Sequence, residues 1–163
     1  MFRYVAMDRQ VPGRLYLHSM PGRYEPLEFA QEESSRRQIE SVICLTSIAE
    51  IRLKSPTYAL AIEDHTLPWD LVIFPIDDFG VPDDPQAFWE LAKAAAEKLK
   101  SGGNLLVHCT AGIGRTGLLA AAILMALGMP LDEARYLVRQ AGSGAETAEQ
   151  LDLLLCLQDY AQR

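Results

Sequence analysis

A cysteine and an arginine six positions apart, with two glycines between them, could together hold and attack an anion. In LLVHCTAGIGRTGLLAAAIL, residues 105–124, Cys109 closes an apolar run. Thr110, Ala111, Gly112, Ile113 and Gly114 follow it, and Arg115 stands where a helix is expected to start. A phosphate monoester needs inward-pointing backbone N–H groups and the favourable dipole of a helix N-terminus. Residues 110–114 are small or flexible enough to curl around such an anion. Arg115 adds a planar fork for two oxygens. The same field favours the thiolate of Cys109, the form that attacks. The Thr116 hydroxyl can donate to that sulfur and steady it as a leaving group. His108 is placed to orient the loop through hydrogen bonds, not to act as the base.

Expelling an alkoxide or phenoxide also needs a general acid. FPIDDFGVPDD, residues 74–84, offers Asp77, Asp78, Asp83 and Asp84 in one loop after an apolar run. Asp83 or Asp84 equally suits the cap of the helix expected from Pro85.

Positioning these groups requires a scaffold. Strands are expected over 13–22 (running into a turn), 41–47, 71–76 and 104–108. The runs SVICLTS and LVIFPI read as buried in a central sheet. Helices are expected over 26–40, 55–66, 85–103, 115–128, 131–142 and 145–162, with Ser55 as N-cap and Pro56 at the first position of the second. The alternation predicts an α/β fold, a mostly parallel central sheet flanked by helices. Ligands in such folds sit beyond the carboxyl ends of the strands, and Cys109 is directly beyond one. Trp69, Trp89 and Cys156 read as packing residues, and Arg36 and Arg37 as a solvated helix face. Gln150 is either a support for the loop and its water or a polar residue on an amphipathic helix.

With 163 residues the chain suits one domain spanning 1–163. A formal net charge of −7 argues against nucleic acid or an anionic membrane as the main partner. Three cysteines at wide spacing (Cys44, Cys109, Cys156) make no disulfide framework, and the scattered His18, His65 and His108 suggest no metal site. The start shows no signal peptide, and the longest apolar stretch, GLLAAAILMALGM, is too short to span a bilayer. The expectation is a soluble cytoplasmic protein, with a monomer as the working oligomeric state.

HCTAGIGRTG fills every fixed position of H-C-x-x-G-x-x-R-[S/T]-G, and by it the chain resembles the cysteine-dependent protein tyrosine phosphatase superfamily. PIDDFGVP resembles the acid loop P-I-x-D-F-G-x-P of the small, atypical dual-specificity branch, which implies Asp78 as the acid with Asp77 its rival. GSGAETAEQ is similar to that branch's Glu-Thr-x-x-Gln segment and implies a supporting role for Gln150. The extended phosphotyrosine-recognition loop of the larger tyrosine-specific enzymes has no clear counterpart. The resemblance implies a protein tyrosine phosphatase-like fold. It implies hydrolysis of phosphotyrosine, and of phosphoserine or phosphothreonine, in phosphoprotein substrates, through a cysteinyl-phosphate and without metal or cofactor. Alternatives are a phosphoinositide or other phosphoester phosphatase, and a silent phosphate-binding module. Some relatives pair a neighbouring strand cysteine with the nucleophile, which makes Cys44 either a redox partner or an inert core residue.

Overall fold

In the computed structural model, which describes all 163 residues, the elements run β1 (Arg3–Tyr4), β2 (Leu15–His18), α1 (Leu27–Arg36), β3 (Ile39–Cys44), α2 (Ile48–Lys54), α3 (Pro56–Glu63), β4 (Asp70–Ile73), α4 (Pro85–Lys100), β5 (Asn104–His108), α5 (Gly114–Ala126), α6 (Leu131–Gln140) and α7 (Ala148–Ala161). The sheet order is β1-β2-β5-β3-β4. β2, β5, β3 and β4 are parallel, and β1 is antiparallel to β2 at the edge.

β5 is central because both of its faces are apolar. Successive strand residues point to opposite faces, so Leu105 and Val107 join one core while Leu106 joins the other. The larger core lies between the sheet and α4–α7 and includes Phe88, Trp89, Leu118, Leu119, Ile123 and Leu154. The smaller core lies under α1–α3 and includes Tyr16, Val42, Ile51, Tyr58 and Trp69. α5 is buried from Gly114 through Met125 and packs on α4, α6 and α7. Its small residues permit that enclosure. A Cβ on Gly117 would come within 2.3 Å of the Gly144 backbone nitrogen, so glycine sets how closely the 142–147 turn approaches the start of α5. The alternation therefore delivers the end of β5 and the start of α5 to one rim of the sheet, joined by residues 109–113.

Several local expectations need correction. β4 is an edge strand rather than a buried one, with Val72 exposed. Its apolar side chains cover one face of the sheet border. Residues 48–54 form α2, which alternation of strand and helix alone does not reveal. Ser55 does not cap α3 with its side chain; its Oγ donates to Pro21 O at 2.8 Å and ties two loops together. Asp84 does cap α4, accepting from the Ala87 N–H at 3.1 Å. Cys156 is exposed, because α7 buries only the stripe through Gln150, Leu153, Leu154 and Leu157. Arg37 is half-buried, its guanidinium 5.5 Å from the Tyr16 ring centre, while Arg36 is exposed. Trp69 and Trp89 are core residues, as expected.

Candidate active site

Cys109 leaves β5 and sits almost fully buried at the base of the loop. Its Sγ accepts from Thr116 Oγ1 at 3.1 Å and from the Gly112 N–H at 3.3 Å. The loop turns back on itself at Gly112, where φ is +75° and a Cβ would strike the His18 carbonyl. Only glycine meets both conditions without strain. α5 begins at Gly114 with no side chain capping its first turn, so its leading amides remain available to an anion.

The loop amides are aimed by fixing the carbonyls. In a planar trans peptide the C=O and the next N–H point in opposite directions. An outward carbonyl held by a donor therefore holds an inward N–H. Cys109 O takes a hydrogen bond from His108 Nδ1 at 3.1 Å, and Thr110 O from the Met20 N–H at 3.1 Å. Gly112 O accepts from Ser143 Oγ at 2.6 Å and from Arg3 Nη2 at 2.5 Å. Ile113 O accepts from the N–H groups of Gly117 at 2.8 Å and Gly144 at 3.1 Å. These donors turn the amides of Thr110, Ala111, Ile113 and Gly114 toward the concave side.

Arg115 extends from the first turn of α5 and is 2% exposed. Glu50 of α2 grips it: Nη1 donates to Oε2 and Nη2 to Oε1, both at 2.9 Å. Nη1 also donates to Ile76 O at 2.8 Å, and Asp78 Oδ1 stands 3.3 Å from Nη2. Nε is buried and has no acceptor among the protein's own atoms. Burial opposes the charge on Arg115, but the Glu50 hydrogen bonds, with Cys109 and Asp78 adding to them, raise its pKa above the usual arginine value. The Arg115 hydrogen bonds in turn lower the pKa of Glu50, against the opposing effect of its partial burial. Thr110 Oγ1 donates to Glu50 as well, so one carboxylate ties the loop to the arginine.

His108 is fully buried and its pKa falls to about 4, mainly through desolvation. A neutral ring with the proton on Nδ1 donates to Cys109 O and accepts from Tyr58 O–H at Nε2, 2.9 Å away. Asp78 is exposed beside Arg115 and accepts from the Phe79 N–H, whereas Asp77 offers its backbone carbonyl to Gly80 and no side-chain contact to the arginine. Gln150 is fully buried at the start of α7. Its Nε2 donates to Gly80 O at 3.0 Å and its Oε1 accepts from the Glu146 N–H at 2.8 Å, which joins the 74–84 loop to the 142–147 turn. Cys44 ends β3 opposite His108 and belongs to the smaller core, while Cys109 belongs to the larger. Both are free thiols, and burial, the largest influence, raises the pKa of Cys44, whose Sγ lies 3.1 Å from Thr46 Oγ1.

Sequence reasoning missed Glu50, Arg3, Ser143 and Tyr58. Glu50 carries a misleading local signal. Ser47-Ile-Ala-Glu50 reads as a capping box, and Ser47 does accept from the Glu50 N–H at 3.1 Å. The glutamate side chain instead reaches out to Arg115.

The sequence model of the family described as "Tc-R-P: Polymorphic toxin system, DSP-PTPase phosphatase" matches residues 18–129. A 47-residue stretch is 45% identical to human receptor-type tyrosine-protein phosphatase H; the match covers 27% of this chain and 4% of that relative's length. Among solved structures, kinase associated phosphatase superimposes with a TM-score of 0.81 at 20% identity, covering 99% of this chain and 96% of that one. Tk-PTP in its active form gives 0.74 at 26% identity, covering 96% and 97%. PTPMT1, solved in complex with PI(5)P, gives 0.73 at 18% identity, covering 91% and 92%.

Proposed function

This chain belongs to the DSP-PTPase phosphatase family, and on that premise we propose that it hydrolyses phosphate monoesters of protein side chains through a cysteinyl-phosphate. One observation carries the reading. A buried sulfur receives two hydrogen bonds at the centre of a loop whose carbonyls are held outward, beside an arginine whose Nε has no protein acceptor. A phosphate oxygen is the acceptor that this place calls for.

The proposed reaction runs in two halves. The Cys109 thiolate attacks phosphorus in line, forming the S–P bond as the P–O bond to the leaving group breaks. The loop amides and Arg115 hold the equatorial oxygens. Asp78 passes its proton to the leaving oxygen, with Asp77 the rival for that role. Water then attacks phosphorus and gives a proton to the Asp78 carboxylate. The S–P bond breaks, inorganic phosphate leaves, and the sulfur regains its hydrogen bond from Thr116. Gln150, tied to Gly80, steadies the acid loop for both steps. Phosphotyrosine, phosphoserine and phosphothreonine proteins are the proposed substrates and the cytoplasm the proposed place. No helix is long and apolar enough to cross a membrane.

The substrate class rests on the loop's composition. Between Cys109 and Arg115 there is no basic residue, and Ile113 and Phe79 are exposed apolar groups. That suits one phosphate on a peptide better than a polyphosphorylated headgroup. The test is phosphate release from an aryl phosphate with and without vanadate, followed by phosphopeptides and soluble phosphoinositides side by side. Vanadate-sensitive release with higher kcat/KM on phosphopeptides is expected. Preference for the phosphoinositides overturns the substrate class, and no release from any of them overturns the enzyme.

A further inference from the structure

The extreme N-terminal strand supplies a side chain to the loop from the far edge of the sheet. Arg3 is paired with Leu17 in β1–β2, and from there its guanidinium reaches three acceptors. Nη1 donates to Ala141 O at 2.7 Å and to Ser143 Oγ at 2.9 Å, and Nη2 donates to Gly112 O at 2.5 Å. We propose that Arg3 is a positioning residue for phosphate binding and turnover, holding the Gly112–Ile113 peptide so that the Ile113 amide faces the anion. This rests on the phosphatase reading above.

Gly112 O is where the loop most needs a brace. The residue occupies left-handed backbone, φ +75°, and its peptide lies between the turn and the start of α5. Were that peptide to flip, an acceptor would replace a donor on the concave side, against an incoming anion. Arg3 and Ser143 together oppose the flip, and Arg3 also orders Ser143, so the two donors to Gly112 O are linked. The surroundings are shaped for the guanidinium. Gly142 has φ +83°, and a Cβ there would lie 2.8 Å from Arg3 Nη1. Ala141 is the C-cap residue of α6, where carbonyls lack helical partners and a cation is favoured. The positive charge is near the nucleophile as well. Burial lowers the pKa of Arg3 and the charge on Cys109 acts the other way, leaving an arginine that stays cationic.

The experiment compares wild type with Arg3→Met, Arg3→Lys, Ser143→Ala and, as a control, Arg9→Met at an exposed site. Secondary structure and melting are recorded first, then kcat/KM on an aryl phosphate, the inhibition constant of vanadate, and recovery with added guanidinium at non-denaturing concentration. Arg3→Met is expected to keep the fold, lose about 10- to 100-fold in kcat/KM, the cost of a misplaced binding group, and bind vanadate more weakly by a similar factor. Guanidinium should recover part of both. Arg3→Lys keeps the charge but cannot fork to three acceptors, so it should fall between, and Ser143→Ala should lose less than Arg3→Met. Arg9→Met should match wild type. A folded Arg3→Met with wild-type turnover and vanadate affinity overturns the proposal, as does a lower melting temperature with both unchanged. Should Arg3→Met fail to fold, wild-type values in Arg3→Lys and Ser143→Ala overturn it equally. If the wild-type protein turns over no phosphoester, the enzymatic reading fails separately, and vanadate affinity still tests Arg3.

Discussion

Replacing His108 by asparagine should flatten the acid side of the stability profile. His108 is fully buried, neutral in the fold, and its pKa lies at about 4 against 6.5 for a free histidine. The folded value is depressed, so the native state resists a proton that the unfolded chain accepts. Stability from this group is whole above pH 6.5 and falls as the pH drops toward about 4. The difference between the folded and unfolded values amounts to about 3 kcal/mol in full. About 2 kcal/mol of it should be lost by around pH 5, where most carboxylates are still ionised. Asparagine can still donate toward Cys109 O but does not titrate. The assay is urea unfolding of both proteins near pH 7.5 and near pH 5. The wild type should lose about 2 kcal/mol more than the variant between the two conditions. His18, whose pKa is lowered chiefly by burial and to a lesser degree by His108, titrates in both proteins, so its part in the difference is confined to that weak coupling. Equal losses would refute the claim that a neutral, buried His108 holds the Cys109 carbonyl.

Glu50→Gln should reduce kcat/KM by about 10- to 100-fold, because the Arg115 fork loses the carboxylate that sets its plane; stability should fall by about 3 kcal/mol, as for breaking a largely buried ion pair, and steady-state kinetics with urea unfolding checks both. Asp78→Asn should lower kcat by about 100-fold or more on a poor leaving group and much less on an activated aryl ester. If Asp77→Asn shows that pattern instead, Asp77 is the acid.

The scaffold was legible where one residue pattern determines one structure. NLLVH is apolar on both faces and became the central strand, and the ten residues HCTAGIGRTG carry the proposed nucleophile, the turn glycine, the arginine and the donor to sulfur within one local unit. A cap from Asp83 or Asp84 was readable because capping is local too, and the structure selects Asp84. LVIFPI misled because an apolar run cannot say whether a neighbour covers it, and β4 has a strand on one side only. Cys156 was misplaced because its register on α7 depends on which stripe meets the core. The supports of the site were out of reach for the same reason. Arg3 meets Gly112 across 109 positions and Glu50 meets Arg115 across 65. Sheet order, not sequence spacing, brings those pairs together, and Glu50 was hidden behind a plausible capping role.

The central claim is that Cys109 carries the phosphoryl group during turnover. Rapid acid quench of wild-type protein mixed with an aryl phosphate, followed by peptide mass spectrometry, reads this directly. The account predicts one phosphoryl group on the peptide holding Cys109, formed before steady-state release of phosphate. It also predicts neither adduct nor turnover in Cys109→Ser, even though that variant still binds phosphate through the loop amides and Arg115. Turnover by Cys109→Ser, or a phosphoryl group on any other residue, would contradict it.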